Sequence, residues 1–290
     1  MAGIDSIYKL IVVFSLFVLF VTYPPWAISK SDKRFALVIG NSDYRYATTL
    51  KNPKNDSSDM AKTLKGLYFE TTLIQNATKL QINSAIKKFI IKLKKNGGVG
   101  LFYYAGHGVQ FEGSNYLIPT ETKAGSELEI KSQSFDISNL LNGLRNIAEA
   151  TNIIILDACR DNPFKNIHPP GIRSSPKSRS VATAGNRSLV RITIPKLDSG
   201  LSKLDAPSNT LIAFATAPGK VAIDGQGRNS PYTANLIESL QRSGLTIDEV
   251  FRRVRLNVAK QSNGKQIPWE SSSMMQRFYF KHRTLLPMGF

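Results

Sequence analysis

The chain has 290 residues, of which 42% are hydrophobic and only 20% are charged, and this balance argues for a packed globular body. The formal net charge is +17 at pH 7, and a surface this basic attracts nucleic acid, phospholipid headgroups and acidic proteins. No compact run of Lys and Arg with interleaved aromatic residues occurs in the sequence. Specific recognition of nucleic acid is therefore not predicted. Weak interaction with anionic surfaces, or simply scattered surface lysines, accounts for the charge.

The first residues have the pattern of a secretory signal. A mostly apolar run at 10–21 follows Lys9, and it is shorter than the roughly 20 residues that a membrane-spanning helix needs. Ala27 and Ser29 form a small-x-small cleavage pattern. We predict a signal peptide at 1–29 and an exported protein, periplasmic or secreted. The alternative is an uncleaved segment that anchors the protein in a membrane.

After this segment, predicted strands and helices alternate along the chain. Continuous apolar runs predict strands at 35–39, 68–74, 99–104 and 152–159. Periodic apolar positions predict helices at 55–67, 78–96 and 135–150. This alternation is typical of a parallel α/β sheet that is covered by helices on both faces.

The pattern dissolves near residue 165 and returns near residue 209. The intervening sequence is rich in Pro, Ser, Gly and Arg, and we interpret it as a long exposed loop. A strand at 209–219 and two helices follow, and a last strand is predicted at "RFYF", 277–280. The helices begin at a Ser-Pro pair and at a capping-box pattern: Ser230 with Pro231, and Thr246 with Glu249.

His107 and Cys159 both fall near the carboxyl ends of predicted strands, the edge where ligands bind in parallel α/β sheets. Cys159 is the single cysteine, so it cannot form an internal disulfide. By itself, His107 also fits a structural turn histidine, and Cys159 also fits a buried core thiol. Together, they fit a nucleophile and its base, since an imidazole accepts a thiol proton and later protonates a leaving amine. The backbone N–H groups of Gly108 and Cys159 are candidate donors to an oxyanion.

The motifs around these two residues resemble those of caspase-type cysteine peptidases. "YYAGHG" is followed by "ILDACRDNPF", and the pair is similar to the bacterial metacaspase-like, or orthocaspase, branch. The resemblance continues through "ALVIGNSDY", "LKNPKNDSSDM", "ATAPGKVAIDGQGRNSPYTANLIESL" and "QIPWESSSM", and it covers about residues 33–281.

The resemblance implies a caspase-like three-layer α/β/α sandwich with a mostly parallel central sheet. It implies a single peptidase domain at 31–282, with a large-subunit-like part at 31–165 and a small-subunit-like part at 207–282. Residues 166–206 would be a basic flexible linker between the two parts. His107 would act as the base and Cys159 as the nucleophile of a dyad that hydrolyses peptide bonds.

Two acids carry the expected specificity. Asp157 precedes the cysteine by two residues, and Asp56 belongs to an Asn-Asp pair near the start of the first helix. The resemblance implies that both bind an Arg or Lys side chain of a protein or peptide substrate, which a carboxylate does well because it pairs bidentately with a guanidinium. The alternatives are a first-turn helix acid for Asp56 and a loop-orienting carboxylate for Asp157. Ala105 stands where related enzymes often have Ser.

Several further expectations follow from the resemblance. No cofactor and no metal site are predicted. Calcium activation is common among metacaspase-like enzymes, but no D-x-[DN]-x-[DN]-G loop occurs here and no ligands can be assigned. An enzyme that cuts after basic residues would also find sites in its own linker, at Arg173, Lys177, Arg179 and Arg187. The alternative functions are a catalytically quiet caspase-fold scaffold and a basic protein that binds nucleic acid or envelope polymers.

Overall fold

The structure is a computed structural model that describes residues 33–123, 125–145, 147, 150–159, 163–164, 201–220 and 222–283. The predicted signal peptide, the predicted self-cleavage sites and most of the linker lie outside the described residues. Within the part of the chain that is described, no helix is long and apolar enough to cross a membrane.

A mostly parallel sheet runs through the middle of the molecule. Its strands are β1 (Arg34–Gly40), β2 (Glu70–Gln75), β3 (Gly98–Phe111), β6 (Ala150–Cys159), β7 (Thr210–Phe214) and β8 (Trp269–Ser272). Their order is β2-β1-β3-β6-β7-β8, and every neighbouring pair is parallel except β7 with β8. The predicted sheet is confirmed, and both the large-subunit-like and the small-subunit-like parts contribute strands to it.

Helices cover both faces of this sheet. They are α1 (Pro53–Gly66), α2 (Lys79–Asn96), α3 (Glu127–Gln133), α4 (Ile137–Arg145), α5 (Pro231–Leu240) and α6 (Ile247–Gln261). The predicted caps are present, because the Ser230 side chain accepts the N–H of Thr233 and Thr246 forms a capping box with Glu249. Helix α2 ends, as predicted, at Gly97, whose φ of 65° suits a residue without a Cβ.

Alternation along the strands divides the core into two layers. Tyr103 and Ile155 belong to the apolar cluster that includes residues of α1, α5 and α6. Tyr104 and Leu156, one position along, belong to the cluster that includes residues of α2 and α4. Since successive side chains of a strand point to opposite faces, these clusters lie on the two sides of the sheet. The expected three-layer α/β/α arrangement is confirmed.

The predicted strand at 277–280 is wrong. Only an isolated bridge, between Thr246 and Tyr279, is formed there. The carbonyl oxygens of Tyr279 and Phe280 accept hydrogen bonds from the Arg34 guanidinium, so a side chain satisfies backbone groups that a strand partner would otherwise bind. The last strand of the sheet is β8, whose sequence "WESS" lacks the apolar pattern of a strand.

Other differences lie after His107. The third strand does not end at residue 104 but continues to Phe111, and it forms an antiparallel ribbon with β4 (Ser114–Leu117). Strand β4 pairs in turn with β5 (Phe135–Asp136), so the helix predicted from 135 begins later, at Ile137. The Asp136 carboxylate accepts the Ser138 N–H at 2.8 Å, which fixes that start.

The end of the predicted linker is part of the folded body. Leu201 is fully buried and belongs to the same apolar cluster as α2 and α4. Asn115 and Ser202 exchange two hydrogen bonds, of 2.9 and 2.6 Å. The interpretation of 166–206 as an exposed loop therefore does not extend to Leu201.

Candidate active site

His107 and Cys159 occupy paired positions where the parallel part of the sheet ends. The register of β3 with β6 runs from Gly98 opposite Ala150 to His107 opposite Cys159. The pairing of β3 with β6 ends at this pair, and from Gly108 onward β3 pairs with β4. His107 and Cys159 therefore lie side by side at the carboxyl edge of the sheet, as the alternation of strands and helices predicts.

The imidazole of His107 is buried and has a defined tautomer. Its side chain belongs to a residue that is only 4% exposed, and Nε2 lies 2.6 Å from the carbonyl oxygen of Thr48. A carbonyl only accepts, so Nε2 carries the proton and Nδ1 has the lone pair. Nδ1 is buried with no hydrogen-bond partner among the described residues. The ring therefore presents an unused basic nitrogen.

Burial keeps this ring neutral. Desolvation lowers the pKa of His107 from 6.5 to about 4, and the hydrogen bond to Thr48 opposes it only in part. At neutral pH the ring is therefore a neutral imidazole, with the lone pair on Nδ1. The carbonyl of Thr48 is also placed to stabilise the imidazolium that forms once Nδ1 has taken a proton.

Two tyrosines fix the backbone at His107. The hydroxyl of Tyr44 accepts the His107 N–H at 2.8 Å, and its ring centroid lies 4.5 Å from the imidazole centroid. The hydroxyl of Tyr104 donates to the His107 carbonyl at 2.8 Å. A Cβ at Gly106 would lie 2.7 Å from both hydroxyl oxygens, and its φ is +154°. The glycine before the histidine is needed because the two hydroxyls occupy the space of a side chain.

The pairing of β3 fixes the side of the strand that the Gly108 backbone faces. Ala105 O accepts from Asn41 N and His107 O accepts from Ile118 N, so the odd-numbered residues here bond toward the side of β1 and β4. Because N–H and C=O groups alternate along a strand, Gly108 faces the opposite side, where β6 ends. Its role as an oxyanion donor stays a prediction.

The two predicted specificity acids are both buried, and they lie close enough for their charges to interact. Asp56 lies in the first turn of α1 and is 1% exposed, and Asp157 lies near the end of β6 and is 7% exposed. Ser230 joins them, because its N–H donates to Asp56 at 3.0 Å and its hydroxyl donates to Asp157 at 2.5 Å. Burial, and next the charge of Asp157, raise the pKa of Asp56 to about 8.

Hydroxyl groups from the small-subunit-like part surround Asp157. Its Oδ2 accepts from Ser230 and, at 2.7 Å, from Thr233. Ala105 is the register partner of Asp157 on β3, and it contributes no hydroxyl. Nothing in the sequence pattern points to Ser230 and Thr233 as pocket residues, beyond the Ser-Pro helix cap.

An ion pair and several hydrogen bonds hold the loop before α5 against α1 and the residues that precede it. Arg228 binds Asp59 through two hydrogen bonds, of 2.8 and 2.9 Å, and Asn229 donates to the same carboxylate at 3.0 Å. At the other end of the loop, Asp224 accepts the Lys51 N–H at 3.1 Å. The loop "DGQGRNSP" is therefore attached beside the acid pair at several points.

Within the described residues, no group of three or more His, Cys, Asp and Glu could hold a metal ion.

The raised pKa of Asp56 predicts a specific dependence of stability on pH. The folded chain keeps a proton up to about pH 8 that the unfolded chain releases near 3.8, so the free energy of unfolding falls as pH rises between these values. Asp56→Asn removes this pH-dependent loss of stability. The melting temperature of the variant should therefore rise relative to that of the wild type as pH rises, and the difference should become constant above about pH 8. Thermal denaturation at several pH values measures it.

Asp59→Asn is the matched control, on the same helix. Hydrogen bonds from Arg228 lower the pKa of Asp59, so its contribution to stability is present at neutral pH and is lost as pH falls. The two variants should therefore differ from the wild type with opposite signs at neutral pH. A melting-temperature difference for Asp56→Asn that does not change with pH would contradict the raised pKa.

The chain is similar to several known proteins. Over 127 residues the chain is 30% identical to human mucosa-associated lymphoid tissue lymphoma translocation protein 1, a match that covers 44% of this chain and 15% of that protein. It is 25% identical to horse caspase-1 over 261 residues, covering 89% of this chain and 61% of that protein. The chain thus spans less than two thirds of the length of these curated relatives.

A solved structure shares the fold. The crystal structure of caspase-1 from Spodoptera frugiperda superposes with a TM-score of 0.61 at 16% identity, covering 90% of this chain and 97% of that chain. The caspase domain family matches residues 33–280. Because this match takes in most of the sequence, the chain belongs to the caspase domain family of cysteine peptidases.

Proposed function

We propose that this chain is a cysteine endopeptidase that cuts peptide bonds after Arg or Lys, with His107 as the base and Cys159 as the nucleophile. The observation that carries the proposal is the register of β3 with β6. It sets His107 opposite Cys159 at the carboxyl edge of the sheet, with a buried imidazole nitrogen that has no partner among the described residues. The family match supports peptidase chemistry as such.

The reaction follows from the state of the imidazole. Nδ1 of His107 takes the proton of the Cys159 thiol as the sulfur attacks the substrate carbonyl carbon. The Gly108 N–H stabilises the oxyanion, and the imidazolium then gives its proton to the leaving amine. Water hydrolyses the acyl-enzyme with the same ring as base. Throughout, Thr48 O holds Nε2–H and so keeps the ring oriented.

Specificity for basic side chains is supported by the acid pair. A substrate guanidinium or ammonium that reaches Asp56 and Asp157 replaces the proton that the pair holds without substrate. Such an exchange favours a cation and disfavours an acidic side chain, because the negative charge of the pair repels a further carboxylate.

We further propose that the chain is a bacterial metacaspase-like protein that is exported, or alternatively anchored, and that it cuts its own linker. These proposals rest on the motifs and on the sequence at 1–29. Whether calcium activates the enzyme is part of the test below. The competing proposal is a caspase-fold scaffold without activity.

Hydrolysis of fluorogenic peptides tests the proposed function. Peptides ending in Arg, Lys or Asp are incubated with the full chain and with Cys159→Ala, each with and without calcium. We expect release of the fluorophore from the Arg and Lys peptides by the wild type, and none by the variant. Absence of cleavage of every peptide under both conditions would favour the scaffold, and preference for the Asp peptide would overturn the proposed specificity.

A further inference from the structure

Ser230 contacts both pocket acids and belongs to a distant part of the chain. Its N–H donates to Asp56, from which it is separated by 174 positions, and its hydroxyl donates to Asp157, 73 positions away. The same hydroxyl accepts the Thr233 N–H at 3.0 Å as the N-cap of α5. Ser230 is 3% exposed. The N–H and the hydroxyl of Ser230 therefore connect α1, β6 and α5 to one another.

A second hydroxyl extends this network. Thr233 Oγ1 donates to the same Asp157 oxygen at 2.7 Å and lies 2.6 Å from the Tyr103 hydroxyl. Because the Thr233 hydroxyl donates to the carboxylate, the Tyr103 hydroxyl must donate to Thr233 Oγ1. Asp157 also lies at the N-terminus of α5, where the helix dipole favours an anion. These contacts stabilise the ionised form of Asp157, while Asp56 keeps the proton of the pair.

An ordinary N-cap in the same protein shows what is unusual here. The side chain of Thr246, the N-cap of α6, accepts the Glu249 N–H and donates to the Glu249 carboxylate, which is exposed. Both its bonds remain within one turn of the helix. The Ser230 hydroxyl instead donates across the molecule to a buried acid of the sheet.

We propose that Ser230 is a specificity-determining positioning residue: it sets the separation and orientation of the Asp56 and Asp157 carboxylates, so that the pair receives one planar guanidinium in preference to an ammonium. The inference rests on the proposed function, since it assumes that this pair binds the substrate cation. Its physical reason is geometric. A guanidinium donates in fixed directions and gains from two fixed acceptors, whereas an ammonium is a point charge that adapts to looser ones.

The charge state of the pair gives a readout that a merely structural role would not move. The Ser230 hydroxyl stabilises the Asp157 anion, so its loss should make the pair hold its proton to higher pH. The titratable or charged groups Tyr103, Tyr232, Asp224 and Arg228 also act on the pair. None of them is changed by substitutions at Ser230.

The test compares Ser230→Ala with the cap control Thr246→Ala, both in the full chain. Ser230→Ala keeps the N–H to Asp56 and removes the hydroxyl. For an Arg peptide we expect KM to rise about 10- to 100-fold with a small change in kcat, the range that loss of one hydrogen bond to a charged group supports. Cleavage after Lys should fall less, so that the Arg-to-Lys ratio of kcat/KM decreases. Thr246→Ala should lower the melting temperature about as much as Ser230→Ala does. It should leave KM for the Arg peptide and the Arg-to-Lys ratio unchanged.

Thr233→Val is the second variant, because it removes the other hydroxyl donor to Asp157 and retains the backbone and the volume of the side chain. It should change KM and the Arg-to-Lys ratio in the same direction. The pH at which KM for the Arg peptide improves should shift upward in both variants. Folded Ser230→Ala and Thr233→Val proteins with an unchanged ratio and an unchanged pH profile would overturn the proposal.

Failure of the proposed function would be seen separately. If the wild type cleaves neither Arg nor Lys peptides, the function is wrong, and the positioning role is still judged from thermal stability as a function of pH. In that case, the pH range over which stability falls is compared between Ser230→Ala and the wild type. A higher range in the variant supports the role of Ser230, and an unchanged range refutes it.

Discussion

Replacing His107 by Asn is expected to lower kcat/KM for an Arg peptide about 1,000-fold, within the range that general acid–base catalysis contributes. Asn is close in size but cannot accept a thiol proton or return it to a leaving amine. The loss should fall on kcat, because the imidazole is not among the groups that we assign to substrate binding. Steady-state kinetics of the purified variant measures it.

His282→Asn is the matched control for this substitution. His282 is exposed, and its ring packs near that of Tyr279 at the far end of the described chain. The control should retain full activity and full stability. A His107→Asn protein that is folded, by its melting curve, and that retains more than about a tenth of wild-type kcat would show that another group is the base.

Replacing Asp157 by Asn is expected to lower kcat/KM for Arg and Lys peptides about 100-fold or more, because one partner of a buried charge pair with the substrate is removed. The amide retains an oxygen that can accept from Ser230 and Thr233, so the pocket should remain folded. The change should appear mainly in KM. It is measured with peptides that end in Arg and in Lys.

Asp248→Asn controls for the loss of one negative charge. Asp248 lies in the exposed first turn of α6, outside the pocket. Because its carboxylate is far from any bound substrate and is screened by solvent, its removal should leave cleavage within about twofold of the wild type. If Asp157→Asn cleaves Arg peptides as well as this control does, the basic side chain is bound elsewhere.

The local structure of this chain is readable from its sequence to a large extent. Continuous apolar runs identify β1, β6 and β7, and the caps at Thr246 and Ser230 mark where α6 and α5 begin. These signals are local, since each depends on residues within a few positions. The shared sheet edge of His107 and Cys159 also follows, because parallel strands align their carboxyl ends.

Contacts between distant segments are not readable in the same way. Thr48 acts through its carbonyl oxygen, which every residue possesses, so no residue type marks it. Ser230 has the pattern of a helix cap, and only the fold reveals that its hydroxyl also reaches Asp157. The error at 277–280 has the same origin: an aromatic run resembles a strand, but the Arg34 side chain binds its carbonyls across the molecule.

The most direct test of the account uses a reagent that requires both the nucleophile and the acid pair. The full chain is incubated with a peptidyl-Arg chloromethyl ketone or with the same peptide ending in Asp, and intact mass and peptide mapping locate the adduct. We predict one adduct, on Cys159, that forms much faster with the Arg reagent, is absent in Cys159→Ala and is slowed in Asp157→Asn. Equal rates for the Arg and Asp reagents, or an adduct at another residue, would contradict it.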